Sequence, residues 1–179
     1  MTLSEVKEIL RSNSILFQEC EFANEADFIN HIFPFAYTKG TKEQKYYALI
    51  IHSNNEKMHL ILQFEEKNGD FVFYDLYFGD FCFEYFLCDS INCASLVEEI
   101  QGIMNGNHTI IVVTNPKTKR WLSDNYFDRN DIDDNMFGEV GFQKAMKRIR
   151  QKKTFWEKLL GFNRNYEIYD WNTYESITK

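Results

Sequence analysis

The sequence has 179 residues, of which 44% are apolar, 17% aromatic and 26% charged, and its formal net charge is −7 at pH 7. A chain of this length is sufficient for one domain with its own core, and two prolines and eight glycines argue against long disordered linkers. No apolar run reaches the ~18–20 residues that span a bilayer and no secretory signal opens the chain, so we expect a cytoplasmic protein.

Two helices are predicted at the start of the chain. Thr2 and Glu5 fit a capping box, and apolar residues at helical spacing follow, which predicts a helix over about residues 3–12. A second helix is expected to start at residues 24–27 and to end at Pro34.

Four consecutive strands are predicted in the centre of the chain. The runs Tyr46–His52 and Met58–Phe64 are rich in β-forming residues, and Asn68-Gly69 is a strong hairpin signal. The aromatic-dense block Asp70–Cys88 supplies two more strands, divided at Gly79-Asp80. Because short turns join antiparallel neighbours, we expect an antiparallel meander.

The aromatic block leaves two interpretations open. Strict alternation places two sets of side chains on opposite faces of its first strand, the odd-numbered Phe71, Phe73, Asp75 and Tyr77 and the even-numbered Val72, Tyr74, Leu76 and Phe78. Both faces are then largely apolar, which indicates a central hairpin covered by helices. In the other interpretation, one face is an exposed aromatic platform for a partner.

A helix, a strand and a loop are predicted after the aromatic block. Ser95 and Glu98 repeat the capping box at the start of a helix that Asn105-Gly106 ends. The very apolar run His108–Thr114 predicts a buried interior strand, and the polar residues 124–135 predict a surface loop.

Two further elements are predicted near the C-terminus. The pattern of Phe142–Gly161 is helical, with an interruption near residues 152–154, and Tyr166–Trp171 alternates as expected for an edge strand. The element order predicts a single α+β domain over residues 1–179. We expect one antiparallel sheet, a four-strand meander plus one or two further strands, with helices packed on it.

The four cysteines are predicted to be free thiols. Cys20, Cys82, Cys88 and Cys93 form no C-x-x-C pair. Most of them lie on or just after predicted strands, where cysteine behaves as a small apolar residue. This usage is typical of a reducing compartment.

The charge is distributed unevenly along the chain. Residues 1–115 contain 7 basic and 17 acidic residues, whereas residues 116–179 contain 13 basic and 10 acidic residues. The acidic first part indicates a face directed at a basic partner. It also argues against nucleic acid, because sheets that stack bases lie in basic surroundings.

No motif in the sequence specifies a metal or a cofactor. His52 and His59 flank the first hairpin and can face each other, but no third ligand is fixed by spacing. Asp128, Asn130 and Glu139 match EF-hand positions 1, 3 and 12 of an acidic loop, whereas position 5 and the glycine position do not match. We therefore expect neither a metal nor a cofactor.

The segment Lys144–Phe162 is basic at its start and apolar at its end. Such a segment can lie on an anionic membrane surface. It can also dock on the sheet with its apolar side and keep its lysines in water. The second interpretation is more economical, so membrane contact is not expected.

These features favour recognition over catalysis. A small, acidic, Phe- and Tyr-rich chain without a catalytic signature is similar in type to bacterial immunity proteins, which neutralise a cognate toxin. The resemblance is one of composition, covers no specific motif, and implies a protein-binding domain for a basic partner such as a toxin domain. The expected contacts are acidic or aromatic side chains in two places. We favour the loop, because loops on a rigid scaffold carry function, and its contacts are Asp128, Asp131, Asp133 and Asp134. The contacts on the hairpin are Asp75, Tyr77, Asp80 and Glu84.

The alternative function is a small hydrolase or ligand-binding α+β domain with a carboxylate site. Asp75, Asp80 and Glu84 lie within or beside apolar strands. Burial there would raise their pKa values, and a pair of them would be suited to general acid–base chemistry.

Overall fold

A computed structural model describes most of the chain, namely residues 1–32, 43–79, 81–83, 93–118, 120–154, 158–159, 161 and 163–179. In these residues four helices and nine strands are present. The helices are α1 (Leu3–Ser12), α2 (Glu25–Ile32), α3 (Cys93–Met104) and α4 (Glu139–Arg150). The strands are β1 (Gln18–Phe22), β2 (Tyr46–Ile51), β3 (Leu60–Lys67), β4 (Asp70–Phe78), β5 (Phe81–Cys82), β6 (His108–Thr114), β7 (Trp121–Asp128), β8 (Asn165–Tyr169) and β9 (Tyr174–Thr178).

The strands form two antiparallel sheets. In the first, called sheet A, the order is β1-β2-β3-β4-β5, so neighbours in the chain are neighbours in the sheet. The predicted meander is present as β2 to β5, although residues 84–88 of its predicted fourth strand lie outside the described residues. Strand β1 extends it at the β2 edge. In the second, called sheet B, the order is β7-β6-β8-β9. The fold is α+β, as predicted, but the prediction of one single sheet is wrong.

The second sheet arises because two polar segments are strands. Residues 124–128, predicted as part of a surface loop, belong to β7, which pairs with β6. Strand β9 pairs with β8, so β8 lies inside the sheet and is not the predicted edge strand. The residues of β7 and β9 are mostly exposed or half-buried. They lack the apolar run that identifies a strand from sequence.

Strand β6 is buried in the centre of sheet B, as predicted. All seven of its residues are buried, and β7 and β8 pair with its two edges. Ile111 clusters with Met146 and Ile149 of α4 on one face. Ile110 and Val112 belong to the largest core cluster on the other face.

That largest cluster joins the two sheets. It contains buried side chains from α1, α3 and both sheets. The Tyr169 ring packs edge-on against Phe78 with 5.3 Å between centroids, and its hydroxyl donates to the Phe78 carbonyl at 3.1 Å. The turn between β2 and β3 is also linked to the turn between β8 and β9, because the N–H of Asn55 donates to the Trp171 carbonyl at 3.1 Å. The sheets therefore share one interior.

A β-bulge in β4 overturns the alternation predicted for the aromatic strand. The register between β3 and β4 shifts next to Asp75, which leaves Tyr74 as the extra residue. The large side chains before and after the bulge consequently contact the same core: Phe71, Phe73, Leu76 and Phe78. Tyr77 lies on the opposite face, with the cluster under α2.

Helix α1 has the predicted capping box. The N–H of Glu5 donates to Thr2 Oγ1 at 3.3 Å, and the N–H of Thr2 donates to Glu5 Oε2 at 2.8 Å. Helix α2 begins at Glu25, as predicted, and packs on the outer face of sheet A, where Phe28 stacks on Tyr46 with 5.3 Å between ring centroids.

Helix α4 covers the outer face of sheet B and ends close to the interruption predicted near residues 152–154. It ends at Arg150, where Gln151 has an extended conformation. Met146 and Ile149 are buried, whereas Lys147 and the other basic residues of the last turn are exposed. Helix α4 therefore docks with its apolar side, as the more economical interpretation held for this part of the segment. Residues 155–157, 160 and 162 of the apolar end lie outside the described residues. No helix in the described ranges is long and apolar enough to cross a bilayer.

We expect the free energy of unfolding to fall as the pH drops below neutrality, because of His108. This residue is only 8% exposed, and its Nδ1 is hydrogen bonded to the Tyr126 hydroxyl. Burial lowers the pKa of His108, although Asp128 and Glu99 oppose the shift. The unfolded chain, with a histidine pKa of about 6.5, therefore takes up the proton first. The midpoint of urea unfolding should be lower at about pH 5.5 than at about pH 7.5.

Two variants separate this contribution from that of the other histidines. His108→Gln should reduce the difference between the two pH values, whereas His31→Gln, at an exposed position, should leave it unchanged. Burial also lowers the pKa of His59, so a residual difference of the same sign remains. An undiminished difference in His108→Gln would contradict the assignment.

Candidate functional site

The loop between β7 and α4 contains four of the residues predicted as partner contacts. We call residues 128–139 the acidic loop, which holds five carboxylates and one arginine. Asp131 and Asp133 are exposed, and Asp128 and Asp134 are half-buried. These four residues lie on one continuous surface segment.

Two of the carboxylates order the acidic loop. Asp131 Oδ1 accepts from the N–H groups of Asp133 and Asp134 at 3.2 and 3.0 Å. Asp134 Oδ1 accepts from those of Met136 and Phe137 at 2.6 and 3.1 Å. The second pair of bonds lowers the pKa of Asp134. Such turns fix the path of the main chain, so the segment is an ordered structure.

The main chain of the acidic loop also closes on itself. The N–H of Glu139 donates to the carbonyl of Asp131 at 3.0 Å, and that of Asp128 donates to the carbonyl of Phe137 at 2.8 Å. Gly138 lies against the carbonyl of Asp131: a Cβ added to Gly138 would be 1.9 Å from that carbonyl oxygen. Glycine is required here because the main chain approaches too closely for any side chain.

An ion pair joins the two ends of the acidic loop. Arg129 Nε lies 2.9 Å from Glu139 Oε2, and its guanidinium lies 5.0 Å from the centroid of the Phe142 ring. Arg129, followed by Gln143, lowers the pKa of Glu139. Glu139 would supply the last ligand of an EF-hand loop, but here it pairs with arginine.

Large apolar side chains are exposed on the same loop. Ile132, Met136 and Phe137 are 68%, 67% and 48% exposed. Apolar residues that are grouped on a surface and surrounded by polar ones mark an interaction site. The acidic loop therefore presents apolar contact area and negative charge together.

The apolar residues of the acidic loop are the part of the candidate site that the sequence pattern did not reveal. The signal is present in residues 132–137 (IDDNMF), where three large apolar residues interrupt the acidic run. Among so many carboxylates they look like the interior of a folded loop. Only the structure shows that they face solvent.

The described contacts predicted on the aromatic hairpin belong to the other sheet. Asp75 and Tyr77 belong to sheet A, whereas the acidic loop follows a strand of sheet B. Asp75 is 5% exposed and accepts a hydrogen bond from the Tyr77 hydroxyl at 3.1 Å. Burial, with the neighbouring Cys82 and Asp75, raises the pKa of Tyr77. Asp80 and Glu84 lie outside the described residues.

His52 and His59 face each other, with 4.5 Å between their ring centroids. Within the part of the chain that the structure describes, no group of three His, Cys, Asp or Glu residues is arranged to hold a metal ion. In that part, Cys20 and Cys82 form no disulfide, and Cys88 lies outside it.

Comparisons of the chain with models of protein families, with curated proteins and with solved structures found no match. Its function has to be inferred from the geometry of its own residues.

Proposed function

We propose that this chain is a protein-binding domain that docks a basic partner on its acidic loop. The observation that carries the proposal is the exposure of Ile132, Met136 and Phe137 beside the carboxylates of one ordered loop. Loops held on a rigid scaffold are where binding residues concentrate.

The order of the acidic loop favours affinity. Asp131 and Asp134 fix its turns, and Gly138 permits its close main-chain contact. Little conformational entropy is then lost when a partner binds. The apolar side chains would anchor the complex in desolvated pockets of the partner. The carboxylates would steer the encounter and set the orientation.

We further propose that the partner is a basic toxin domain, which this protein neutralises as bacterial immunity proteins neutralise theirs. Support comes from charge, because the whole chain carries −7 and the acidic loop has five carboxylates against one arginine. A basic protein surface complements such a field, whereas a nucleic acid would be repelled by it.

Neutralising the acidic loop tests the electrostatic part of the proposal. Changing its four aspartates to asparagine removes four charges but keeps the side-chain oxygens that accept from the main chain: Asp128→Asn, Asp131→Asn, Asp133→Asn and Asp134→Asn. The association rate with the partner purified from the native cell should fall about tenfold or more at low salt. The salt dependence of that rate should weaken. Surface plasmon resonance measures both.

Truncation of the apolar side chains tests the other part. Ile132→Ala and Phe137→Ala should mainly increase the dissociation rate. The controls are a matched exposed leucine, Leu16→Ala, and four exposed carboxylates outside the loop: Glu8→Gln, Glu56→Gln, Glu66→Gln and Asp70→Asn. If the control carboxylates slow association as much as the loop set, the acidic loop is not the binding site. Recovery of no basic protein partner would refute the proposed function.

The alternative function, a small hydrolase or ligand-binding domain with a carboxylate site, would centre on Asp75. Its burial and its hydrogen bond from Tyr77 are the observations that favour it. The second carboxylate of such a site would be Asp80 or Glu84, and both lie outside the described residues. This function stays a prediction.

A further inference from the structure

A pocket of about 240 Å³ lies on the outer face of sheet A, beside the end of α2. Its floor is apolar, since Ile50 and Ile61 are paired on neighbouring strands and both are buried. Met58 and Ile32 add apolar walls. An apolar cavity of about 150 Å³ is sufficient for benzene, so this pocket admits a small ligand.

Among the described residues, the ionisable side chains that line this pocket are all basic. His31 comes from α2, His52 follows β2, and Lys57 and His59 precede β3. No carboxylate among the described residues lines the pocket. Lys57 forms no ion pair with any described residue. In a chain of net charge −7, such a pocket is a local exception that attracts anions.

Hydrogen bonds determine which imidazole nitrogens are donors. The N–H of Ser53 donates to His59 Nδ1 at 3.3 Å, so a neutral His59 carries its proton on Nε2. His52 Nε2 lies 2.9 Å from Gln18 Oε1 and donates to it. Burial, and then His52, lowers the pKa of His59. A negative ligand beside the two rings would oppose both effects.

We propose that this pocket binds a small organic acid, with the carboxylate on Lys57 and His59 and a short apolar body on the isoleucine floor. The Nε2–H of His59 and the ammonium of Lys57 supply charge-assisted donors. The floor favours a ligand with a hydrocarbon body, because a bare inorganic anion would leave it in contact with water. The site is distinct from the acidic loop and adds a second binding activity to the proposed function.

Asp75, a carboxylate on the same face of the sheet, does not compete with the ligand. Asp75 is paired with Gln63, two residues along β3 from Ile61, and accepts a hydrogen bond from the Tyr77 hydroxyl. It is not a lining residue of the pocket. Among the described residues, the charged and titratable groups that line the pocket are therefore the three histidines and the lysine: His31, His52, His59 and Lys57.

Titration with benzoate, followed by NMR of the histidine imidazoles, tests the proposal. At about pH 6, benzoate up to about 20 mM should shift the resonances of His52 and His59 with a Kd of about 1 mM or lower. His108 is buried in sheet B and serves as the internal control, with no shift. The neutral isostere benzamide should shift none of them. Because the bound anion favours protonated imidazoles, affinity should be about tenfold lower at pH 8.

Two lysine variants complete the test. Lys57→Gln, at an exposed position, should weaken benzoate binding about fivefold or more. Lys117→Gln, a matched exposed lysine beyond the end of β6, should not change it. The proposal is overturned by absent shifts at His52 and His59, by equal shifts with benzamide, or by binding of inorganic phosphate in place of benzoate.

Discussion

We expect the Val112→Asp variant to be unfolded at 25 °C. Val112 is fully buried in the middle of β6, directly opposite Asp124 of β7 and Glu167 of β8. The new carboxylate would stand between two acidic residues, away from water. Burying an unpaired charge costs several kcal/mol, about 5 kcal/mol here, which is close to the whole stability of many domains. Far-UV circular dichroism and urea unfolding measure the outcome.

Two controls separate charge from packing at this position. Val112→Ala removes methyl groups without adding charge and should cost about 2 kcal/mol. Val140→Asp places the same charge on an exposed residue and should change stability by less than about 0.5 kcal/mol. A cooperatively folded Val112→Asp protein with an unchanged melting temperature would contradict the burial of β6.

The Gly138→Ala variant should lose most of its affinity for the partner. Its Cβ would be 1.9 Å from the Asp131 carbonyl oxygen and 2.9 Å from that of Asp134. Main-chain atoms cannot rotate away, so the acidic loop must leave its present path, at a cost of roughly 1–3 kcal/mol in stability. Ile132 and Phe137 would lose their fixed positions, and we expect the Kd to rise about a hundredfold. Isothermal titration calorimetry with the partner measures this.

The matched control is a glycine in open space. Gly161 has a φ of +64° and nothing within 4 Å of an added Cβ. Gly161→Ala introduces backbone strain but leaves the acidic loop intact, so partner binding should be retained. Equal losses of affinity in the two variants would show that a general loss of stability, and not the path of the loop, is responsible.

The sequence patterns predicted those elements whose signal is local. The capping box of Thr2 and Glu5 marks the start of α1, and the apolar run of β6 marks a buried strand. The Asn68-Gly69 turn defines the hairpin of β3 and β4. In each case the element is determined by a few residues that are neighbours in the chain, so the local sequence is sufficient to predict it.

What the sequence could not predict depends on residues far apart in the chain. Strands β7 and β9 are polar and become strands only because β6 and β8 provide edges for them. The bulge at Tyr74 follows from the register with β3 and reverses the faces of Asp75 and Tyr77. The basic pocket forms because α2 brings His31 to the histidines of the hairpin. None of these effects has a signature within one segment.

The junction of the two sheets has a consequence for how the chain folds. The hydrogen bond from Tyr169 to Phe78 joins residues 91 positions apart. Contacts of such long range form only after a large loop has closed, and that closure is opposed by chain entropy. Sheet A and the β6–β9 region can each begin to pair locally, but the cluster that they share with α1 and α3 is complete only when they meet. The search for this one docked arrangement should therefore limit the rate at which the protein reaches its native state.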